Sequence, residues 1–262
     1  MTNKNLNSAL LFLLTVTLSS ITLAREITVS FGQYQPPYVM HQEHDRHPHV
    51  DGRHMHGIEI DILIAALALN GHTLKSKLMK KTEVKSSLKS DETIDAASAV
   101  DLSKDHFYYS DKIIEHEALA ISKEKGRLRI NSVNDLKGYR IAMRSNANMA
   151  LGVGKTHEFN SIYKSQPEKN KFASQLQQNI AFWSDQVEII ITDRHIFNYY
   201  KKMLEGEFNT AEQKMKLHTV FAKKTPFYVA FKNEALRDQF NISLNTLKKS
   251  GEYQAIIDRY IK

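Results

Sequence analysis

The 262-residue chain has no cysteine. That absence excludes disulfide staples, thiolate zinc sites, a cysteine nucleophile and a lipid-modified N-terminal cysteine. Proline and glycine are sparse, at five and ten residues, so a collagen-like or low-complexity scaffold is excluded. Beyond the N-terminus no apolar run approaches the roughly 18 residues that would cross a bilayer. The sequence also lacks G-x-S-x-G, H-E-x-x-H and the phosphate-loop pattern, so it carries no ready-made catalytic signature. Basic residues exceed acidic ones, for a formal charge of +7, but the lysines are scattered. Even the densest stretch (Lys75, Lys77, Lys80, Lys81, Lys85, Lys89) reads as a solvated face, and nucleic acid is not expected as a partner.

What is present is an ordinary folding composition, 42% apolar and 25% charged, enough for one large domain or two modest ones. The first 24 residues read as a secretory signal peptide. Lys4 supplies the positive start, Ala9 to Leu18 the apolar stretch, and Thr22-Leu23-Ala24 the small residues of a cleavage site. An uncleaved anchor is the alternative, disfavoured by the short apolar run. Without those residues the charge is +6. Export of a cysteine-free chain points to the bacterial periplasm.

The remaining chain alternates strand and helix signals. Glu26 to Phe31 alternates like a strand, and Gly32 to Tyr38 (GQYQPPY) must be a loop because Pro36 and Pro37 cannot serve a helix or a central ladder. Gly57 to Asn70 reads as a helix stopped by Asn70-Gly71, followed by strands over 73–78 and 94–100 around a short helix at 84–89. Strand, helix, strand at that spacing predicts a parallel βαβ unit. The pattern restarts with a strand at 118–122, a short helix at 132–136, a strand at 139–144, a polar turn Ser145-Asn-Ala-Asn148 leading into a helix, a helix at 172–182 and a strand at 187–192. A helix begins at Asp193, strands are expected at 217–221 and 227–231, and helices at 234–250 and 252–261 end the chain.

In order and spacing, four segments together resemble the family 3 periplasmic solute-binding proteins, the amino-acid-binding class that serves ABC importers. These are Tyr34-x-Pro36-Pro37-Tyr38 after a strand; Gly57-Ile-Glu-Ile-Asp61; Tyr108-Tyr-Ser-Asp111 with Ala118 to Ser122 and Leu136-Lys-Gly138; and Val187 to Tyr200. The C-terminal Leu244-x-x-Leu247-x-x-x-Gly251-x-Tyr253-x-x-Ile256 agrees. The resemblance implies an α/β fold of two lobes (the type II periplasmic-binding-protein fold), each a mixed, mostly parallel sheet flanked by helices. Lobe 1 would hold 25–117 plus 226–262, lobe 2 would hold 122–222, and hinge strands would lie near 118–122 and 222–231. It also implies a monomer that closes on a small polar solute, needs no cofactor, and delivers its load to an inner-membrane ABC permease or a sensor.

Ligands in open α/β sheets bind beyond the carboxyl ends of strands, so the expected cleft loops are Gln33–Tyr38, Ala97–Val100, Arg144–Asn148 and Thr192–Asp193. Asp193, between strand and helix, matches the family's ammonium-binding aspartate; capping the helix is the competing role. Tyr34 and Tyr38 resemble the aromatic wall, with core packing as the alternative. Ser145, Asn146 and Asn148 occupy the turn where free amides would receive a carboxylate, or simply cap a helix. From Ser98 to Ser110 the sequence departs from the family, whose Thr-x-x-Arg clamp is missing; Ser98, Lys104 and Arg144 are the remaining candidates, none with that arginine's fork in the family position. An α-amino-acid ligand is therefore disfavoured.

His41, His44, His47, His49, His54 and His56 crowd a loop with Pro48 and Gly52. Neutral imidazoles at that spacing suit weak binding of zinc, nickel or copper; a merely His-rich loop is the other reading. Two rival functions follow, a metal-scavenging protein built on that loop and a periplasmic enzyme pairing Asp193 with Glu59 or His195. The second is disfavoured because residues two apart on a helix face different ways.

Overall fold

The computed structural model describes residues 24–41, 55–147, 157–221 and 224–262. The signal-peptide reading of 1–24 therefore lies outside the described residues but for Ala24, as do Asn148 and His44, His47, His49 and His54. Among the described residues no helix is long and apolar enough to cross a membrane.

In chain order the first part contains strand β1 (Glu26–Phe31), the two-residue strands β2 (Met40–His41) and β3 (Met55–His56), helix α1 (Ile58–Ala68), β4 (Thr73–Leu78), α2 (Ser87–Ser90), β5 (Ala96–Val100), β6 (Tyr108–Tyr109) and β7 (Ile114–His116). Then come β8 (Ala118–Lys123), β9 (Ile141–Arg144), α3 (His157–Ser165), β10 (Lys171–Phe172), α4 (Gln175–Trp183), β11 (Ile189–Asp193), α5 (Arg194–Met203), α6 (Glu205–Phe208) and β12 (Met215–His218). Strand β13 (Thr225–Phe231) and helices α7 (Glu234–Ser250) and α8 (Glu252–Ile261) complete the chain.

These strands build two main sheets. The first runs β4-β1-β5-β13-β6, with β7 also on β13; β1, β4 and β5 are parallel and β13 is antiparallel. The second runs β10-β9-β11-β8-β12, with β9, β10 and β11 parallel and β8 and β12 antiparallel. The chain crosses between the sheets at Glu117, the single residue separating β7 from β8, and again between β12 and β13. This is the expected two-lobed α/β arrangement.

Burial explains the strand composition. All five residues of β5 and of β11 are buried, as continuous apolar strands covered on both faces should be. Helix α1 is buried at Ile58, Ile60, Ile62, Leu63, Ala66 and Leu67 and packs on α7 and α8. One apolar cluster runs from Ile27, Val29 and Phe31 through Leu119 and Ile121 to Phe182, Ile190 and Tyr200, so the core passes continuously from one sheet to the other.

Local differences from the sequence reading have local causes. Phe172 belongs to β10, paired with Arg144, and the helix expected from 172 begins at Gln175 after the Ser174 cap. The strand expected at 217–221 lies at 215–218, placed by pairing with β8. The two-residue β2, β3 and β6 and the three-residue β7 are too short to leave a period-2 signal.

Candidate functional site

Tyr38 and Asp193 meet where the two sheets come together. The loop after β1 contains a cis peptide between Pro36 and Pro37, and its carbonyls hold the start of α1: Ile58 N donates to Pro37 O (2.9 Å) and Glu59 N to Tyr38 O (3.1 Å). This close approach depends on Gly57, whose φ is +128° and where a Cβ would stand 2.4 Å from Tyr38 O. The anchored loop drives Tyr38 inward to 1% exposure. Its hydroxyl donates to Asp193 Oδ1 at 2.7 Å and lies 3.2 Å from His195 Nδ1, and its ring centroid is 4.4 Å from that of His116. Burial, followed by the neighbouring Asp193 charge, pushes the Tyr38 hydroxyl well above its usual range.

Asp193 is fully buried and caps α5, with Oδ1 accepting from His195 N (2.9 Å) and Ile196 N (3.1 Å). Its Oδ2 accepts from Glu117 N at the sheet crossing (2.8 Å). With Tyr38, four protein donors reach the carboxylate, three on Oδ1 and one on Oδ2. The capping role is thus displayed and extended across both lobes, while Oδ2, with its single donor, keeps an acceptor position. The expectation that His195 faces away from Asp193 is corrected here: the two side chains meet through the Tyr38 hydroxyl.

Behind Tyr38 lies a second polar cluster. Glu59 is 4% exposed near the buried Ser98, and burial raises its carboxyl pKa, partly offset by Lys81 and Ser98. Ser98 accordingly faces the interior of lobe 1 rather than an open cleft wall. Lys81 is exposed, as the solvated-face reading of its stretch expects, but it is also anchored. Its stem crosses Gly32, its ammonium donates to Ala99 O (2.6 Å) and it stands 5.4 Å from the Phe227 ring centroid. Gly32 follows β1, Ala99 is near the end of β5 and Phe227 is near the start of antiparallel β13, so the ammonium sits at the carboxyl edge of the parallel strands. A lone lysine in a basic run gives no sequence signal of this; an acid inside the apolar run Gly57-Ile-Glu-Ile-Asp was a signal for Glu59.

The remaining candidates separate. Tyr34 is 38% exposed, with its ring 5.2 Å from that of His41. It is close enough to Tyr199 and Tyr200 on α5 to help burial raise both of their hydroxyl pKa values. Arg144, half-buried at the end of β9, donates to Ala173 O and lies near Tyr200. Asn146 is exposed in the next turn, whose Ser145 carbonyl accepts from Tyr163. Tyr34, Tyr199, Tyr200 and Arg144 therefore form one aromatic and cationic group drawn from both lobes. Lys104 does not join them. It is exposed in a loop pinned through Asp105 to Lys85 (2.8 Å) and Tyr109 (2.7 Å).

His41 and His56 do not converge. The ladder pairs Met40 with His56 and His41 with Met55, and opposed residues share a face, so the two histidines project to opposite sides. His41 turns toward Tyr34 and His56 toward Tyr260, 6.3 Å away. Among the described residues no group of three or more His, Asp or Glu is arranged to hold a metal.

With this geometry in hand, solved structures provide the comparison. A polar amino acid ABC uptake transporter substrate-binding protein from Streptococcus thermophilus superposes with a TM-score of 0.65 at 19% identity, over 90% of this chain and 86% of that one. An ancestral cationic amino acid solute-binding protein gives 0.66 at 16% identity, over 90% and 96%. A substrate-binding protein from Streptococcus pneumoniae with bound histidine gives 0.58 at 20%, over 90% and 92%. The fold is that of the ABC-uptake substrate-binding proteins. No protein-family model and no curated protein matches the sequence.

Proposed function

We propose that this chain is a periplasmic solute-binding protein, a monomer that captures a small polar solute between its lobes and delivers it to an inner-membrane ABC importer. The observation that carries this reading is the contact of the loop after β1 with the β11–α5 junction, which brings the carboxyl ends of both parallel sheet segments face to face at Tyr38 and Asp193. Such an interface is where solute binding can bias an equilibrium between open and closed lobes.

The solute would lie against Tyr34, Tyr199 and Tyr200, with Arg144 and Asn146 at the lobe 2 end and Lys81 at the lobe 1 edge. Asp193 would hold the closed geometry. With two cations nearby, the site suits a solute bearing an anionic or neutral polar group beside a flat apolar face. A thermal-shift screen of amines, amino acids, organic acids, oligopeptides and sugars tests this, followed by titration of any hit. Replacing exposed Tyr34 by Ala should weaken the hit about tenfold without lowering the melting temperature. A solute bound equally well by Tyr34→Ala and Arg144→Gln would refute the site.

The His-rich loop would add weak zinc, nickel or copper binding, and the mature protein should give heat on zinc titration. Deleting 41–56 should abolish that heat but leave solute capture intact.

A further inference from the structure

On the side of the crossing strand away from the Tyr38 ring lies a cavity of about 600 Å³, lined by Lys112, Glu115, Glu117, Asp193, Arg194, His195, Lys224, Lys248 and the helix α8 residues Tyr253, Gln254 and Ile257. Side chains alternate along a strand. His116 therefore faces Tyr38 and Phe227, while Glu115 and Glu117 face the cavity. It shares Asp193 and His195 with the proposed solute site, but none of the aromatic or cationic groups that would grip the solute.

Its charges are unevenly matched. Four cations face Glu115, Glu117 and Asp193, and Asp193 directs its oxygens to Tyr38 and three backbone amides. Glu115 is shared between Lys112 (2.5 Å) and Lys224 (3.3 Å), and Glu117 is paired with Arg194. Lys248 donates to the carbonyl of Lys112 (2.8 Å) and lies 5.5 Å from the Tyr253 ring centroid. Partial burial and the like charge of Lys112 both lower its pKa, against the pull of Asp111, as expected of an ammonium short of a counter-charge. The volume falls in the range of small-molecule sites.

We propose that this rear cavity binds a small multivalent oxyanion, bridging Arg194 of lobe 2 to Lys112 and Lys248 of lobe 1. Because its walls come from both lobes, such an anion holds them at one angle, and by linkage it changes solute affinity at the front as the solute changes its own.

The test is isothermal titration of the full chain at low ionic strength with inorganic pyrophosphate and, separately, with citrate. Saturable one-site binding of either supports the proposal, and the tighter of the two identifies a phosphate-like or a polycarboxylate ligand. Affinity should fall about tenfold or more in Lys112→Gln/Lys248→Gln and stay unchanged in Tyr34→Ala. Lys248→Gln alone, which alters one exposed side chain, replaces the double variant if that fails to fold. No saturable heat with either anion, or equal affinity in the lysine variants, overturns the proposal. Either result leaves the solute screen standing, since the groups it probes, Tyr34 and Arg144, lie outside this cavity.

Discussion

At the scale of single residues, the Asp193 carboxylate joins three pieces of chain that are remote in sequence, the loop after β1, the crossing at Glu117 and the first turn of α5. Removing it strands buried donors as well as the cap. Asp193→Ala should therefore destabilise the protein by about 2–4 kcal/mol in urea titrations. Tyr38→Phe deletes one donor to a charged acceptor and should cost about 1.5–3 kcal/mol. His116 supplies a pH signature. Burial, opposed by the Asp193 charge, lowers its pKa from 6.5 to about 4. The unfolded imidazole takes a proton near 6.5 and the folded one resists down to about 4, so this contribution to stability is intact above 6.5 and is lost as pH falls through that window. The loss should be on the order of 3 kcal/mol, read as a falling urea midpoint that is absent in His116→Phe. Glu59, with its raised pKa, contributes with the opposite sign. The sequence marked Asp193 as a strand-end acid and Tyr38 as part of a proline-stiffened aromatic loop. It could not show that one would donate to the other, because 155 positions separate them.

At the scale of elements, the long periodic segments were legible: β1, α1, β4, β8, α7 and α8 lie within a few residues of where alternation, apolar spacing and glycine stops place them. What escaped was set by pairing rather than by periodicity. Strand β7 exists because β13 offers it a ladder, and Lys81 points to the cleft edge because Gly32 leaves room for its stem. Gly57 could be read as leading a helix, but its φ of +128° and its contact with Tyr38 O belong to the loop that the helix supports. Gly57→Ala should destabilise by about 3 kcal/mol or more, beyond the usual cost of replacing glycine. The same variant should lose solute binding, since the loop carries Tyr34; unchanged stability by circular dichroism melts would show that the backbone there can yield.

At the scale of the whole molecule, two lobes in the expected order were evident from the restart of the strand–helix pattern near residue 118. The ligand was not, because the clamping arginine of the family it resembles is missing and the groups that stand at the cleft edge were drawn from a basic run and from α5. If solute draws the lobes together, small-angle scattering should record a smaller radius of gyration on adding a screening hit, and Tyr38→Phe should enlarge the unliganded form. The route of the chain has a further consequence. Strand β13 lies in the interior of the first sheet, between β5 and β6, yet it is the last strand of the sequence, whereas the second sheet is built entirely from the continuous stretch 118–218. A polypeptide threaded amino end first through a membrane therefore delivers everything the second lobe needs while the first still waits for its closing piece. Until Thr225 and the residues beyond it have emerged, from a ribosome as from a channel, the first lobe stays open along its middle.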